Sequence, residues 1–521
     1  MFFQHHTHMT DRRPDAAPRA SAHRIWRRLA PVAAAACVLL ALPAPAQLPV
    51  LGDTSDMTSG AERKLGESVA RELYRDPDYL DDPVLDEYIE QIWQRLVAAA
   101  RTRGDVTAEL DERFAWQILL GKDRIVNAFA LPGGWMGVQL GLINVTATRD
   151  ELASVLAHEM SHVTQRHISR LMEQQSRQTP LILAAMILGA LAAGKSPDAA
   201  NALIVGGQAA AIQNQLNFSR DMEREADRVG LGVMTQAGFD PQGFVTMFDK
   251  LQQASRLNDN GSFPYLRTHP MTTERIAEMQ SRQQLAARPA APAAPDLVHA
   301  MMVGRSRALS VPGVDVLRSY VTGGEPAQLA GLAPAAKVTA LYAAALASAS
   351  LRDSPAAARF AAQLAPLTAG DPEAARLTHL LSAELAMRAG DAQRAASLVD
   401  SKSDRRPEVM LLAQARVQSG RASDAAPRLQ TWVALHPRDA LAWQTLASAY
   451  SAQGQTLRSI RAEAEAQVAH LDLQAAMDRF RAAQEFARKG AASREDHIEA
   501  SIIDTRARAV ESLLREQTLK R

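Results

Sequence analysis

Residues 148–167 read TRDELASVLAHEMSHVTQRH, and this stretch decides the fold. Thr148 and Glu151 have the spacing of a capping box, in which two side chains satisfy backbone N–H groups at the start of a helix. Leucine, valine and alanine follow at helical spacing, so we predict a mostly buried helix that runs beyond Ser169. The motif His158-Glu159-Met160-Ser161-His162 lies in the middle of that helix.

The motif contains two histidines and a glutamate at a spacing that suits zinc. His158 and His162 are four residues apart, so they share a helix face and can bind one ion. Glu159 lies one step round the helix, where it can act as general base on a water. Buried polar groups are costly unless something pairs with them. We therefore predict a zinc site, with hydrogen-bonded structural histidines as the alternative.

A catalytic zinc site has three protein ligands and one open position, so a third ligand is needed. The run Glu223-Arg224-Glu225-Ala226-Asp227 offers one, with Glu223 as our first choice and Glu225 as the second. Glu223 and Asp227 share a helix face, and Asp227 can accept a hydrogen bond from a ligand imidazole. Taken alone, this run is more typical of a solvated charge run on a surface helix than of a metal site. We expect the helix over about 220–236.

The N-terminus has the order of a secretory signal. Three arginines precede an apolar run from Ala30 to Leu42, and Ala44-Pro45-Ala46 follows. The apolar run has about 13 residues, fewer than the roughly 20 that span a bilayer as a helix. We expect residues 1–46 to be removed on export, with anchoring as the alternative.

Composition after residue 46 excludes some classes of site and partner. The only cysteine, Cys37, lies in the apolar run, so the rest of the chain can form no disulfide or thiolate metal site. The chain has 58 basic and 57 acidic residues, of which residues 1–46 hold six and two, leaving a net charge of −3. This charge gives no support to a nucleic-acid partner.

Elements around the motif form an α+β domain. Residues 57–100 have the apolar spacing of amphipathic helix. Residues 114–120 and 125–143 contain short β-type runs with a Pro-Gly-Gly turn, so we expect a small sheet. The strand around Gly134 to Val138 is expected to pair with substrate. Residues 181–212 contain two apolar segments that we interpret as a packed helical hairpin, or alternatively as a mobile or membrane-touching flap over the cleft.

Helical repeats follow this domain. Gly390, Gly420 and Gly454 are 30 and 34 residues apart, and Trp443 and Tyr450 precede Gly454 in the order of a tetratricopeptide repeat. Generic helical hairpins are the alternative. The predicted fold is mainly α, with a zincin-type α+β metallopeptidase domain and an α-solenoid of tetratricopeptide-like repeats. The predicted order is signal peptide 1–46, metallopeptidase domain 47–285, linker 286–330, repeats 331–490 and C-terminal helix 491–521.

Four segments resemble the metallopeptidase family of HtpX and the CAAX prenyl proteases: residues 127–134, 150–167, 219–227 and 268–270. The resemblance covers residues 57–285 in its motifs, and the later repeats in architecture alone. It implies a gluzincin-type endopeptidase with one zinc per subunit, held by His158, His162 and Glu223. It also implies that His269 approaches the metal as a fourth ligand that keeps the peptidase idle, and that Arg275 lies nearby.

Within that family, the architecture is similar to a periplasmic branch in which repeats follow the catalytic domain. This likeness implies a periplasmic zinc endopeptidase with a chaperone role that acts on misassembled outer-membrane β-barrel proteins. The implied partners are such unfolded substrates, the β-barrel assembly machinery and a peripheral membrane contact. The alternative is a repeat-based chaperone or adaptor with a latent peptidase site. A membrane-anchored prenyl-protein-type protease is disfavoured because no apolar run approaches 20 residues.

Overall fold

Helices dominate the computed structural model, and its four strands form one small sheet. The mainly helical class with a small sheet is confirmed. The predicted signal peptide and the apolar segments at 181–212 lie outside the described residues. The structure describes residues 57–174, 219–256, 262–284, 295–310, 313–490 and 494–518.

The first elements are α1 (Ser59–Arg75), β1 (Tyr79–Leu80), α2 (Pro83–Arg103) and α3 (Ala108–Arg113). The amphipathic stretch 57–100 is thus two helices, because Asp82 and Pro83 start a new one. The Asp82 side chain accepts a hydrogen bond from the Leu85 N–H at 2.9 Å, and proline fits the first helical position because no partner is needed for its nitrogen. The apolar face of α2 is buried in the main core.

The sheet contains β1, β2 (Gln117–Gly121), β3 (Ala128–Leu131) and β4 (Trp135–Gln139) in the order β1-β2-β4-β3. β4 pairs parallel with β2 and antiparallel with β3. Both edges of β4 are therefore used, and the expectation that this strand pairs with substrate is wrong. The edge strand beside the motif helix is β3. Strand order depends on long-range packing, which local sequence patterns do not carry.

The next helices are α4 (Leu140–Val145), α5 (Arg149–Thr164), α6 (His167–Gln174), α7 (Arg220–Gln236), α8 (Gln242–Arg256), α9 (Tyr265–Thr268) and α10 (Thr273–Gln284). α5 is the central helix, with every residue from Glu151 to Thr164 buried. The Thr148 hydroxyl accepts from the Glu151 N–H at 3.2 Å, and the Glu151 carboxylate accepts from the Ala147 N–H at 2.5 Å. The predicted single helix beyond Ser169 is wrong, because Arg166 has a φ of 52° and separates α5 from α6.

Helices continue to the end of the described chain. Three glycines, Gly390, Gly420 and Gly454, connect consecutive helices with φ of 84°, 77° and 71°, a left-handed conformation that glycine adopts at little cost. Their regular spacing therefore marks helix-to-helix turns. These helices are α11 (Leu297–Leu309), α12 (Val314–Gly323), α13 (Pro326–Leu329), α14 (Pro334–Ser350), α15 (Ser354–Thr368), α16 (Pro372–Arg388), α17 (Ala392–Leu398), α18 (Arg406–Gln418), α19 (Ala422–Leu435), α20 (Ala440–Ala452), α21 (Thr456–Ala469), α22 (Leu473–Gly490) and α23 (Arg494–Thr518).

The predicted linker over 286–330 needs correction. Residues 297–329 form α11, α12 and α13, and α11 packs against α4 and α14. Met301 and Met302 of α11 are fully buried. The Ala/Pro composition that predicted a linker ends at residue 295, and the apolar sequence after it builds core. In the part of the chain that the structure describes, no helix combines the length and apolar character needed to cross a membrane.

Arg305 of α11 joins three regions of the core. Its guanidinium donates to both Asp82 carboxylate oxygens at 2.7 and 2.6 Å, to Glu384 of α16 at 2.7 Å and to the Tyr342 hydroxyl at 3.2 Å. The side chain is 4% exposed. The Asp82 carboxylate is also buried, and although burial opposes its charge, Arg305 holds its pKa below the ordinary value. The N-cap of α2 is therefore tied to the later helices.

We expect Arg305→Met to destabilise the protein by about 3–5 kcal/mol, because it leaves the buried Asp82 and Glu384 carboxylates without their cation. Urea unfolding followed by circular dichroism measures the effect. Arg359→Met is the matched control, since Arg359 pairs with Glu325 at 2.7 Å with 48% of its side chain exposed. That exposed pair should contribute little to the free energy of unfolding. Equal losses in the two variants would contradict the role given to Arg305.

Candidate metal centre

Four side chains from three elements converge in the interior: His158, His162, Glu223 and His269. α5 supplies the two motif histidines, α7 supplies Glu223, and His269 follows the short helix α9. Each residue offers one donor atom, and these atoms lie within 4.8 Å of one another. All four residues are at most 2% exposed. The structure thus brings together the three ligands and the fourth residue that the sequence suggested.

The separations of the donor atoms suit a shared metal ion. His158 Nε2 lies 3.0 Å from His162 Nε2 and 3.5 Å from Glu223 Oε2. His162 Nε2 lies 3.5 Å from Glu223 Oε1. Ligands of a tetrahedral zinc with bonds of about 2.0–2.1 Å are about 3.4 Å apart. Two imidazoles and one carboxylate also form a ligand set that catalytic zinc sites use. The residues present therefore fit the ion.

His269 lies where a fourth ligand would lie. Its Nδ1 is 3.0 Å from Glu223 Oε1 and 3.3 Å from His158 Nε2. The His269 N–H closes α9 by donating to the Tyr265 carbonyl at 3.0 Å, and its ring stacks on the Tyr265 ring with centroids 4.5 Å apart. The imidazole is thus fixed beside the other donors.

Asp227 and Arg275 form a second layer behind the donors. Asp227 Oδ1 lies 2.9 Å from His158 Nδ1, so it can accept the proton of that nitrogen and leave Nε2 free for a metal. Arg275, on α10, donates to both Asp227 oxygens at 2.7 Å. Its guanidinium also lies 2.8 Å from Glu223 Oε2 and donates to the Pro270 carbonyl at 3.0 Å. Arg275 therefore joins α7 to the loop that carries His269.

The charges around His158 favour a cation. Burial disfavours a charged imidazole, but hydrogen bonds to Asp227 and Glu223 raise the pKa of His158 to about 9. Those carboxylates therefore stabilise positive charge at this position, which a metal ion supplies in place of a proton. Burial, together with the charge of His158, lowers the pKa of His162 well below its ordinary value. Burial opposes the Glu223 charge, yet His269 and His158 keep the pKa of Glu223 well below the usual range.

Glu159 lies beside the donor cluster and touches the sheet. Its Oε2 accepts a hydrogen bond from the Ala130 N–H of β3 at 3.0 Å. Its Oε1 lies 3.4 Å from His269 Nε2. The carboxylate thus stands between the edge strand and the fourth-ligand position, where a general base would meet a bound peptide.

Close packing of α7 on α5 brings Glu223 and Asp227 to the histidines. Gly230 is the point of contact, where an added Cβ would lie 3.1 Å from the Ala157 carbonyl oxygen and from the His158 nitrogen. That separation is tight for a methyl group, so glycine permits this distance between the helices.

Glu225, our second choice as ligand, faces another group of residues. Its Oε2 lies 3.0 Å from His167 Nε2 and 2.8 Å from Arg170. His167 Nδ1 in turn lies 2.9 Å from His162 Nδ1. The sequence pattern alone gave His167 no role, because residues five apart do not share a face of a regular helix. The sequence pattern does not predict the bend at Arg166, and without that bend nothing indicates that His167 lies beside His162.

Comparison with known proteins agrees with this geometry. Residues 83–283 match the family described as Peptidase family M48. The chain is 37% identical over 244 residues to the putative β-barrel assembly-enhancing protease of Vibrio cholerae, covering 46% of this chain and 48% of that protein. It is 34% identical over 237 residues to the β-barrel assembly-enhancing protease of Escherichia coli K12, covering 45% of this chain and 47% of that protein.

A mitochondrial protein is also similar. The mitochondrial metalloendopeptidase OMA1 of Saccharomyces cerevisiae is 30% identical over 196 residues, covering 37% of this chain and 54% of that protein. The chain thus spans about half the length of the relatives it matches. The matched segment contains the motif helix, α7 and the His269 loop. Residues 83–283 thus carry the similarity to peptidase family M48.

Proposed function

We propose that this chain is a zinc-dependent endopeptidase of the periplasm that cleaves outer-membrane β-barrel proteins when their assembly fails. The observation that carries the proposal is the convergence of His158, His162 and Glu223 beside Glu159. The relatives named as β-barrel assembly-enhancing proteases support the substrate class.

The side chains have distinct roles in peptide hydrolysis. His158, His162 and Glu223 would hold the zinc, which supplies Lewis acidity toward the scissile carbonyl and toward water. Glu159 takes the proton of the attacking water and passes it to the leaving amine. Asp227 keeps the proton of His158 on Nδ1 and so keeps Nε2 available as a ligand. Arg275 fixes Asp227 in this position through two hydrogen bonds.

The edge strand β3 is the proposed docking site for substrate. The Ala130 N–H points to Glu159 and not to β4, so the outer edge of β3 faces the catalytic base. An extended peptide can add to such an edge through main-chain hydrogen bonds, which favours unfolded chains over folded ones. Among the described residues, β3 has no partner strand on that edge.

The position of His269 favours a latent resting state. Its Nδ1 lies close to two donor atoms, Glu223 Oε1 and His158 Nε2, and its Nε2 is 3.4 Å from the Glu159 carboxylate. A water and a scissile carbonyl need the same space, so we propose that His269 leaves before cleavage. This arrangement also supports the second candidate function, a chaperone or adaptor whose peptidase site stays mostly shut.

The proposal also includes an order of domains along the chain. We assign residues 1–46 to a secretory signal and 47–285 to the metallopeptidase domain. Residues 331–490 are assigned to tetratricopeptide-like repeats and 491–521 to a terminal helix. The glycine turns that join consecutive helices at regular spacing support the repeat assignment. The repeats would bind substrate or the β-barrel assembly machinery.

Glu159→Gln should abolish cleavage while keeping the metal. An amide cannot take the proton of water, so the rate should fall by about 10²–10⁴-fold. The assay follows cleavage of a purified, urea-diluted β-barrel protein, and zinc content is measured by atomic emission. Glu112→Gln, which changes an exposed carboxylate, is the control and should match the wild type. Cleavage by Glu159→Gln within tenfold of the wild-type rate would show that Glu159 is not the base.

His269→Ala should raise the rate of cleavage of the same substrate by at least about fivefold. This is the lower end of the effects that regulatory couplings in proteins typically have. The rate should rise because the variant frees the fourth position without removing a ligand of the three-residue set. Zinc content should be unchanged. His299→Ala is the control, because it removes another buried histidine, whose hydrogen bonds go to Tyr88 and Thr146 and not to this set. An unchanged or lower rate in His269→Ala would contradict the latch.

A genetic test separates the two candidate functions. Glu159→Gln, expressed at the wild-type level in a strain lacking the gene, should fail to restore clearance of a β-barrel protein whose assembly is blocked. The measurement is the half-life of that protein by pulse-chase labelling. Full restoration would identify the repeat-based chaperone or adaptor as the main function and would reject the peptidase as the main role.

A further inference from the structure

The ligand His162 has a second contact on the side away from the donor cluster. Its Nε2 faces His158 and Glu223, while its Nδ1 lies 2.9 Å from Nδ1 of His167. His167 Nε2 lies 3.0 Å from Glu225 Oε2, and Arg170 donates to the same oxygen at 2.8 Å. His167 is fully buried. A continuous chain of contacts therefore runs from the metal ligand to a carboxylate on α7.

The direction of each hydrogen bond between His162, His167 and Glu225 follows from elementary chemistry. A histidine that binds metal through Nε2 carries its proton on Nδ1, so His162 is the donor toward His167. His167 Nδ1 must then accept, and a neutral imidazole that accepts at one nitrogen donates at the other. That second nitrogen meets Glu225, which only accepts when ionised. The ring protons of His162 and His167 therefore have one consistent arrangement.

We infer that His167 and Glu225 are positioning residues that orient the metal ligand His162. They do for His162 what Asp227 does for His158, although through an intervening imidazole. The inference rests on the proposed metal site. It gives Glu225 a role as an orienting carboxylate and not as a ligand.

The fold is built to place His167 in this position. Residues five apart on a regular helix point roughly 140° away from each other, so an unbroken α5 would direct His167 away from His162. Arg166 interrupts the helix with a φ of 52°, a conformation that is uncommon for a residue with a side chain. The bend turns His167 back toward its neighbour.

Three contacts of the Arg166 side chain hold that bend, one of them to α1. The Arg166 guanidinium donates to the buried Glu62 carboxylate at 3.0 Å, to the Met57 carbonyl and to the Ser169 hydroxyl at 3.2 Å. Glu62 is 2% exposed. A buried carboxylate requires a cation, so this pair fixes Arg166 where the chain reverses. A residue with an uncommon backbone conformation near a functional site needs such contacts to keep that conformation.

Zinc affinity tests the inference independently of peptidase activity. We expect His167→Ala to weaken zinc binding by about 10–100-fold, as measured by competition with a chelating dye, because His162 loses the acceptor that orients it. Glu225→Gln should show a smaller loss in the same direction. His167→Asn should recover part of the affinity, since an amide oxygen can accept from His162 Nδ1. The cobalt-substituted His167→Ala protein should also show a shifted visible absorption spectrum.

His299→Ala is the matched control for a merely structural effect. His299 is also a buried histidine with two hydrogen-bond contacts, 2.6 Å to the Tyr88 hydroxyl and 3.1 Å to the Thr146 carbonyl. It should lower thermal stability and leave zinc affinity and the cobalt spectrum unchanged. Zinc affinity of His167→Ala within threefold of the wild type, or an equal loss in His299→Ala, overturns the inference.

The proposed function fails in a different way. A wild-type protein that binds zinc and cleaves no unfolded β-barrel protein, even as His269→Ala, would reject the peptidase proposal. The affinity ratios of the His167 variants would still support the positioning role.

Discussion

Burial of charge at the centre of the domain is the constraint on which the rest of the structure depends. Glu159, Glu223 and Asp227 are at most 1% exposed, and Arg275 is the buried guanidinium that contacts two of them. Three carboxylates and one guanidinium have a formal charge of −2 when the histidines are neutral. Buried charge of one sign is strongly unfavourable, and a divalent ion among the histidines balances it. Metal binding should therefore stabilise the fold as well as supply chemistry.

Close packing and the Arg275 side chain hold together the elements around this charge. α5 is buried along its length, and α7 is held against it by the close contact at Gly230. The His269 loop lies between a one-turn helix and α10, and Arg275 ties it to the core through the Pro270 carbonyl. Arg275 also binds Asp227, so movement of the loop would disturb the contact between Asp227 and His158. The position of the His269 loop and the orientation of His158 are thus coupled through one guanidinium.

Local sequence patterns predicted those parts of the site that depend on a regular helix. The spacing of His158 and His162, and of Glu223 and Asp227, gave the shared faces that the structure contains. Glu223 was proposed because a catalytic zinc needs a third ligand, whereas the approach of His269 was suggested by family resemblance alone, because no local pattern encodes a contact between distant segments. The bend at Arg166 and the strand order were missed for the same reason. Both depend on partners far away in the chain, such as Glu62 for Arg166.

The later helices share the packing of the catalytic region. One hydrophobic core includes residues from Val84 of α2 to Leu385 of α16. Acidic residues at the start of α2 also form ion pairs with Arg376, Arg405 and Arg406. Each pair is partly exposed and weak alone, but a network that shares charges is more rigid. The helical array is therefore held at a fixed distance from β3, because α2 packs on both α5 and that array. The array and the candidate metal centre are linked by packed helices and not by a flexible tether.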